Sequence, residues 1–152
     1  ADLASLGRGY TVMGVYDPSR GTNSIIVLDP TGKKRMTIDS IRFPTHATML
    51  RRDRLLVADM NSNRVVEVDG KGKVLWTKNC NQPMAAHRLR NGSTFIVTRN
   101  QLLVLDRSGK EVRKIDRPGY DIMSAYLFDD GTISLLTQSQ YYRFDKDNRE
   151  TK

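Results

Sequence analysis

The sequence predicts an all-β chain built of four-stranded antiparallel sheets, and three markers repeated in phase predict it. Asp29, Asp69, Asp106 and Asp145 each close an apolar run (IIVLD, VVEVD, LLVLD, YYRFD) at intervals of 40, 37 and 39 residues. Three residues further on stand Gly32, Gly72, Gly109 and Asn148, the two residue types that tolerate positive φ. Upstream, Leu6-x-x-Gly9, Leu50-x-x-Asp53, Leu89-x-x-Gly92 and Phe128-x-x-Gly131 precede the runs YTVMGV, RLLVA, TFIV and TISLL. Pro44, Pro83 and Pro118 open the last three copies, which puts the repeats near 1–43, 44–82, 83–117 and 118–152. Four-stranded sheets at a period near 40 describe the blades of a β-propeller, here one domain over 1–152 with about four blades.

Residues 54–77, RLLVADMNSNRVVEVDGKGKVLWT, are the clearest copy. Leu55 to Ala58 is a short apolar run, Asn61 to Asn63 a turn, and Arg64 to Val68 a second run rich in β-branched residues. Asp69 to Gly72 is a tight hairpin and Lys73 to Thr77 a third run. The first copy reads as a weak strand at Leu3 to Leu6, then Tyr10 to Tyr16, a polar connector, Ser24 to Asp29 and Lys33 to Ile38. In the second copy His46 to Leu50 precedes the runs just described. The third reads Ala85 to Leu89, Thr94 to Thr98, Gln101 to Asp106 and Lys110 to Ile115. The fourth reads Ile122 to Phe128, Thr132 to Thr137, Tyr141 to Asp145 and a polar tail. No stretch reads as a helix.

The middle strands (IIVL, LLVA, LLVL) are apolar on both faces, so both sides of each sheet are expected to be covered. The last strands, KKRMTI and KEVRKI, carry the Lys and Arg expected of an exposed edge that must not pair with other chains. A chain of 152 residues at 38% hydrophobic can bury one sizeable core or one stacked array. No run approaches the ~18–20 apolar residues of a membrane-spanning helix, so no transmembrane segment is expected. Ala1 in place of Met suggests a processed or trimmed N-terminus, with a lean to an extracytoplasmic protein. The single cysteine, Cys80, excludes an internal disulfide framework and any multi-cysteine metal site. Asn91-Gly92-Ser93 fits a glycosylation sequon but stands where every copy needs a hairpin, and the turn reading is preferred.

The string DRLLVADMNSNRVVEVDGKGKVL, residues 53–75, resembles an NHL repeat, through Asp59, Asn63, Arg64, Val65, Asp69 and Gly72. HRLRNGSTFIVT, residues 87–98, resembles the related quinoprotein-like and arylsulfotransferase-like propellers. These families close their rings with six or more blades. The resemblance therefore implies, in preference to a ring that closes at four, that the four blades are part of a larger ring or are completed by another chain or a second copy of this one. The end sheets, with Tyr10, Val12, Val15, Ile25 and Val27 in one and Ile133, Leu135, Leu136, Tyr142 and Phe144 in the other, are expected to need covering.

His46 and His87 fall on innermost strands, where the arylsulfotransferase-like resemblance implies reactive histidines in a channel wall. They stand four residues before Leu50 and two before Leu89, with no third ligand or nucleophile in view, so structural or channel-lining roles are expected. Asp59-x-Asn61-x-Asn63 opens like a calcium loop, but Arg64 and Gly70 occupy the positions that need Gly and Glu. The side chains are read as satisfying turn backbone groups. No catalytic constellation, cofactor motif or metal site is expected.

The charge of +8, with a sequence pI near 9.8, asks for a partner. Much of it falls on hairpins and outer strands, where edge protection accounts for it. The loop face keeps Arg20, Arg42, Arg64, Arg99 and Arg117, with Phe43, Tyr120 and Tyr141 as stacking aromatics. The binding candidates are Arg20, Arg42, His46, Asn63, Arg64, His87, Arg99, Arg117 and Tyr120. The leading expectation is a non-catalytic scaffold for a protein partner or further blades. A single-stranded RNA-binding propeller is the alternative, and a fragment of a propeller enzyme the third reading.

Overall fold

A computed structural model describes residues 9–51 and 53–151. Fifteen strands occur among them, in four antiparallel meanders. The first sheet is β1 (Thr11–Asp17), β2 (Thr22–Leu28) and β3 (Lys34–Ile38), three strands among the described residues, since the expected strand at Leu3 to Leu6 lies outside them. The second is β4 (Pro44–Arg51), β5 (Arg54–Asp59), β6 (Arg64–Asp69) and β7 (Val74–Asn79). The third runs β8 (Pro83–Arg88), β9 (Thr94–Thr98), β10 (Gln101–Leu105) and β11 (Glu111–Asp116). The fourth is β12 (Ile122–Leu127), β13 (Ile133–Thr137), β14 (Tyr141–Phe144) and the two-residue β15 (Glu150–Thr151). Each sheet falls inside one predicted repeat. The only helical piece among the described residues is a single 3-10 turn, Met60–Ser62.

The repeated Asp is a hairpin device. In all four copies its Oδ1 accepts the backbone N–H groups two and four residues ahead, at 2.8–3.0 Å: Thr31 and Lys33, Lys71 and Lys73, Ser108 and Lys110, Asp147 and Arg149. Its carbonyl accepts the N–H of Gly32, Gly72, Gly109 or Asn148, whose φ values are 81°, 82°, 84° and 62°. That is a type I turn closed by a left-handed residue, and an adjacent register shift marks the bulge in the first three copies. These N–H groups stabilise the carboxylate form. All four carboxyls are therefore held below the ordinary range, Asp29 to about 2, with the Thr31 hydroxyl as its largest cause.

The chain divides into two compact units, Ala1–Arg88 and Leu89–Lys152, at the turn between β8 and β9. In the first unit the core is aliphatic: Val12, Ile25, Val27, Ile38 and Ile41 pack on Leu55, Val57, Val66 and Val68. Alternate residues of β5 and β6 point to the other face of the second sheet, where Leu56, Ala58, Val65 and Glu67 are buried beside β8. The middle strands of the second sheet are thus covered on both sides, as its continuous apolar runs require. Outer strands β7 and β11 alternate exposed and half-buried positions. In the second unit Phe95, Ile96, Leu102 and Leu105 are buried, with Ile122, Ile133, Leu135 and Phe144 on one face of the last sheet.

Candidate binding faces

In the first unit Asp59, which ends β5 fully buried, pairs with the predicted Arg64, the chain neighbour of the predicted Asn63. Its Oδ2 accepts from Arg64 Nε at 3.1 Å and its Oδ1 from the Phe43 N–H at 3.3 Å. Asn63, in the left-handed region at φ 50°, accepts the Gln82 N–H on its side-chain oxygen at 2.9 Å and the Cys80 N–H on its carbonyl at 3.0 Å. Asp59 makes no cap bond to the turn that follows it. This corrects the expectation that these side chains satisfy their own turn. They satisfy instead the connections that lead into β4 and into β8, so the Asp-Asn-Arg pattern staples one sheet to its neighbours' chain crossings.

Arg20 and Arg42 are not part of that cluster. Arg20 is exposed and sits 3.7 Å from the half-exposed Asp17, and Arg42 is exposed, with its carbonyl taking the Asn23 amide at 2.5 Å. His46 and His87, by contrast, do meet. Their rings stand edge to face with centroids 4.7 Å apart, and the Ala86 N–H points to His46 Nδ1 at 3.5 Å. Counting back from a Leu marker put the two histidines at different depths. The count missed the irregularities that interrupt β4 on either side of His46 to Met49.

In the second unit Arg117 forks onto Asp121, at 3.0 and 2.8 Å, and lies over the Tyr142 ring at 4.4 Å. The paired carboxylate raises the Arg117 pKa and the guanidinium lowers that of Asp121. Tyr142 in turn hydrogen-bonds Gln140. Tyr120 is half exposed at φ 50°, and Arg99 is exposed, its carbonyl taking the Ile122 N–H at 3.2 Å. A cleft of about 490 Å³ opens between Leu89, Arg90, Val112, Phe128 and Asp129. Arg113 in its wall donates from each of its three guanidinium nitrogens, to Asn148 Oδ1 and to the Gly131 and Asp145 carbonyls at 2.5–2.6 Å.

The strongest surface feature lies on the last sheet, which was expected to need covering, but it is built mostly of other residues than those expected. β12, β13 and β14 pair so that Tyr126, Ser134, Leu136, Tyr141 and Arg143 share the face opposite Ile133 and Leu135, with Phe128 beside it. Tyr126 and Tyr141 are 61% exposed, Leu136 48% and Phe128 39%. Tyr126 meets Phe128 edge to face at 4.8 Å, Arg143 lies over Phe128 at 5.8 Å, and the Tyr141 hydroxyl bonds Ser134 at 3.0 Å. The expected set for this end, Ile133, Leu135, Leu136, Tyr142 and Phe144, is corrected: Ile133, Leu135 and Phe144 are buried and only Leu136 belongs to the exposed face. At the other end Val12, Ile25 and Val27 are likewise buried, and Met13, Val15, Ile26 and Leu28 point outward. The alternation around TISLL and YYRF carried the signal, but the expected set drew Leu135 and Leu136, which are neighbours in the strand, into one face.

Among the described residues no three His, Cys, Asp or Glu side chains stand close enough to hold a metal, and no helix is long and apolar enough to cross a membrane. Burial pushes the Cys80 thiol up to about 11, so it is protonated at neutral pH and a poor nucleophile.

No family model and no curated protein matches the chain. Solved structures do. It is similar to the WD40 β-propeller domain of Doa1 (TM-score 0.74, 13% identity, 95% of this chain and 49% of that one). The AfRom2 CNH domain matches at TM-score 0.67 and 15% identity, over 94% of this chain and 49% of that one. Virginiamycin B lyase from Staphylococcus aureus matches at 0.63 and 13%, over 92% and 54%. The chain spans about half the length of each of these structures. At such identities the likeness is one of fold, and with the four meanders it establishes an all-β, propeller-type chain.

Proposed function

We propose that this chain is a non-catalytic propeller-type scaffold that binds protein, with NHL-like turn chemistry in its second sheet. The observation that carries this reading is the Tyr126, Phe128, Leu136 and Tyr141 face, large apolar side chains with polar ends left exposed side by side. Tyr, Phe and Arg are the residue types enriched at interface cores, because each offers apolar area and a hydrogen-bonding or cationic handle in one rigid side chain. The WD40 domain among the similar folds agrees with such a use.

The nucleic-acid alternative is weaker. It asked for free cations beside stacking aromatics, but Arg64 is engaged by Asp59 and Arg117 by Asp121, which leaves Arg20, Arg42 and Arg99 exposed of the five arginines put forward. Site-specific photo-crosslinking from position 141, in cells that make the protein, tests the scaffold reading. Discrete adducts with identified proteins are expected from 141 and not from the equally exposed outer-strand position 112. Adducts with RNA alone, or none from 141 above the 112 background, would overturn it.

A further inference from the structure

We infer that the exposed face of the last sheet takes an acidic peptide segment of another protein, with a carboxylate on Arg143 and flanking apolar side chains on Tyr126, Phe128, Leu136 and Tyr141. This names the partner chemistry of the interaction reading above and rests on it. Ser124 pairs with Leu136, and Thr151 with Arg143, which completes the face. Every paired position on it is therefore apolar, aromatic or a neutral hydroxyl except Arg143. Charged residues make up 28% of the chain, and β11 alone carries Glu111, Arg113, Lys114 and Asp116. An exposed sheet face with one cation and no acid departs from that pattern, in the direction of an interface core, where charges are depleted and aromatics and Arg remain.

Arg143 is exposed and held over the Phe128 ring, and Phe128 meets Tyr126 edge to face. Three other arginines of the second unit are spent inside the chain: Arg117 on Asp121, Arg113 on three acceptors, and Arg107 on the Asn91 carbonyl at 2.7 Å. Arg143 forms no ion pair among the described residues. Asp130 feels its charge, but that carboxyl already accepts the Thr132 N–H at 2.8 Å, and Thr132 is the larger cause of its lowered pKa. A planar cation resting on a ring, with its N–H groups left to solvent, is a prepared seat for a carboxylate, whose two oxygens match the guanidinium fork.

The number of cations selects peptide over nucleic acid. A nucleic-acid strand needs a succession of cations along its phosphates beside the stacking rings. This face offers one. A single carboxylate between apolar neighbours matches a single cation among aromatics, with the rings supplying area and the charge pair fixing register. The chain's charge of +8 draws an acidic segment toward it.

Selection from a phage-displayed random nonapeptide library on the full chain tests the inference. Enriched peptides are expected to carry Asp or Glu beside Leu, Phe, Tyr or Trp, and selection on Arg143→Ala should lose the acidic preference while keeping the apolar one. For the most enriched peptide, fluorescence anisotropy should show an affinity that falls as salt rises and drops about five- to tenfold when its acid is changed to the amide. Arg143→Ala should bind the acid and amide peptides alike, and Leu136→Asp should weaken both. Lys110→Ala, on the third sheet's hairpin, should leave the preference for the acid peptide in place. Should Leu136→Asp lose its strand circular dichroism, Tyr141→Ser replaces it. Enrichment of neutral or basic peptides, the same peptides from wild type and Arg143→Ala, or no enrichment at all overturns the inference. So does displacement of the selected peptide by an equal concentration of oligouridylate, which would assign the face to nucleic acid. If the selection fails while position 141 still gives discrete protein adducts, the scaffold reading stands with a partner of other chemistry, whereas failure of both removes both.

Discussion

The two faces of the last sheet, separated by the thickness of one backbone, have opposite chemistries. Leu135 is fully buried and its neighbour Leu136 is 48% exposed. On the buried side stand Ile122, Ile133, Leu135 and Phe144. On the other stand Tyr126, Ser134, Leu136, Tyr141 and Arg143. Side chains alternate along a strand, so the sequence must specify both environments in one five-residue word, ISLLT. A face that is always dry takes branched aliphatics, which pack densely and bring no polar atom to satisfy. A face that is wet some of the time takes aromatics with a hydroxyl and a cation within reach.

The largest effect that could break this comparison is also its simplest. Leu135→Ala should destabilise by ~2–5 kcal/mol, from lost transfer energy and the cavity left behind. Leu136→Ala should stay within ~0.5–1 kcal/mol in the monomer. Urea unfolding of the two variants measures the difference, and equal losses would mean that the outward face is covered within the chain.

The same contrast holds among charged groups. Glu67 is 9% exposed on the second sheet and takes Arg54 at 3.1 Å and Arg88 at 3.3 Å, with Arg88 also 5.9 Å over Trp76. Glu67→Ala leaves two cations facing each other. Both are partly exposed, which moderates the loss to ~1–3 kcal/mol. Glu67→Leu, which removes the charge and fills the space, tests whether the network stabilises or only specifies the packing of β6 against β8. A Leu variant as stable as wild type would assign it to specificity alone. Next in size is Gly109→Ala. At φ 84° an added Cβ costs ~1–2 kcal/mol, and the same change at Gly70, which is not in the left-handed region, should cost less. Thermal melts of the pair decide it.

Local chemistry made the meanders legible. The Asp-x-x-Gly hairpins, the β-branched middle strands and the Lys- and Arg-rich edges each follow from contacts within a few residues, and the sheets fell inside the predicted repeats. Long-range placement did not show. That His87 meets His46, that Asp59 reaches the Phe43 N–H, or that Asn63 holds the Gln82 N–H depends on how neighbouring meanders stack, which no spacing in the sequence encodes. The Tyr126 to Tyr141 face was lost for a smaller reason. Leu135 and Leu136 read alike as apolar, and only the strand pairing assigns them to opposite faces.

The smallest effect appears only in acid. Asp29 is held at about 2 by the Thr31 hydroxyl, the Lys33 and Thr31 N–H groups and Arg35, and the other three hairpin carboxyls are held low by their own turns. A carboxyl whose pKa is lower folded than unfolded adds stability above the unfolded value near 4, and that contribution fades as pH falls through the folded value. Stability should therefore be flat from neutral pH down to ~5 and decline from about 4 toward about 2. Asp29→Asn keeps an amide oxygen for the turn N–H groups but removes both the charge and the ion pair with Arg35, 2.7 Å away. It should lower stability slightly at neutral pH and make the acid decline shallower, since one of the contributing carboxyls no longer titrates. Urea midpoints at pH 7, 4 and 2.5 for both proteins check this. Parallel declines would show that Asp29 is no more favoured as a carboxylate in the fold than in the unfolded chain.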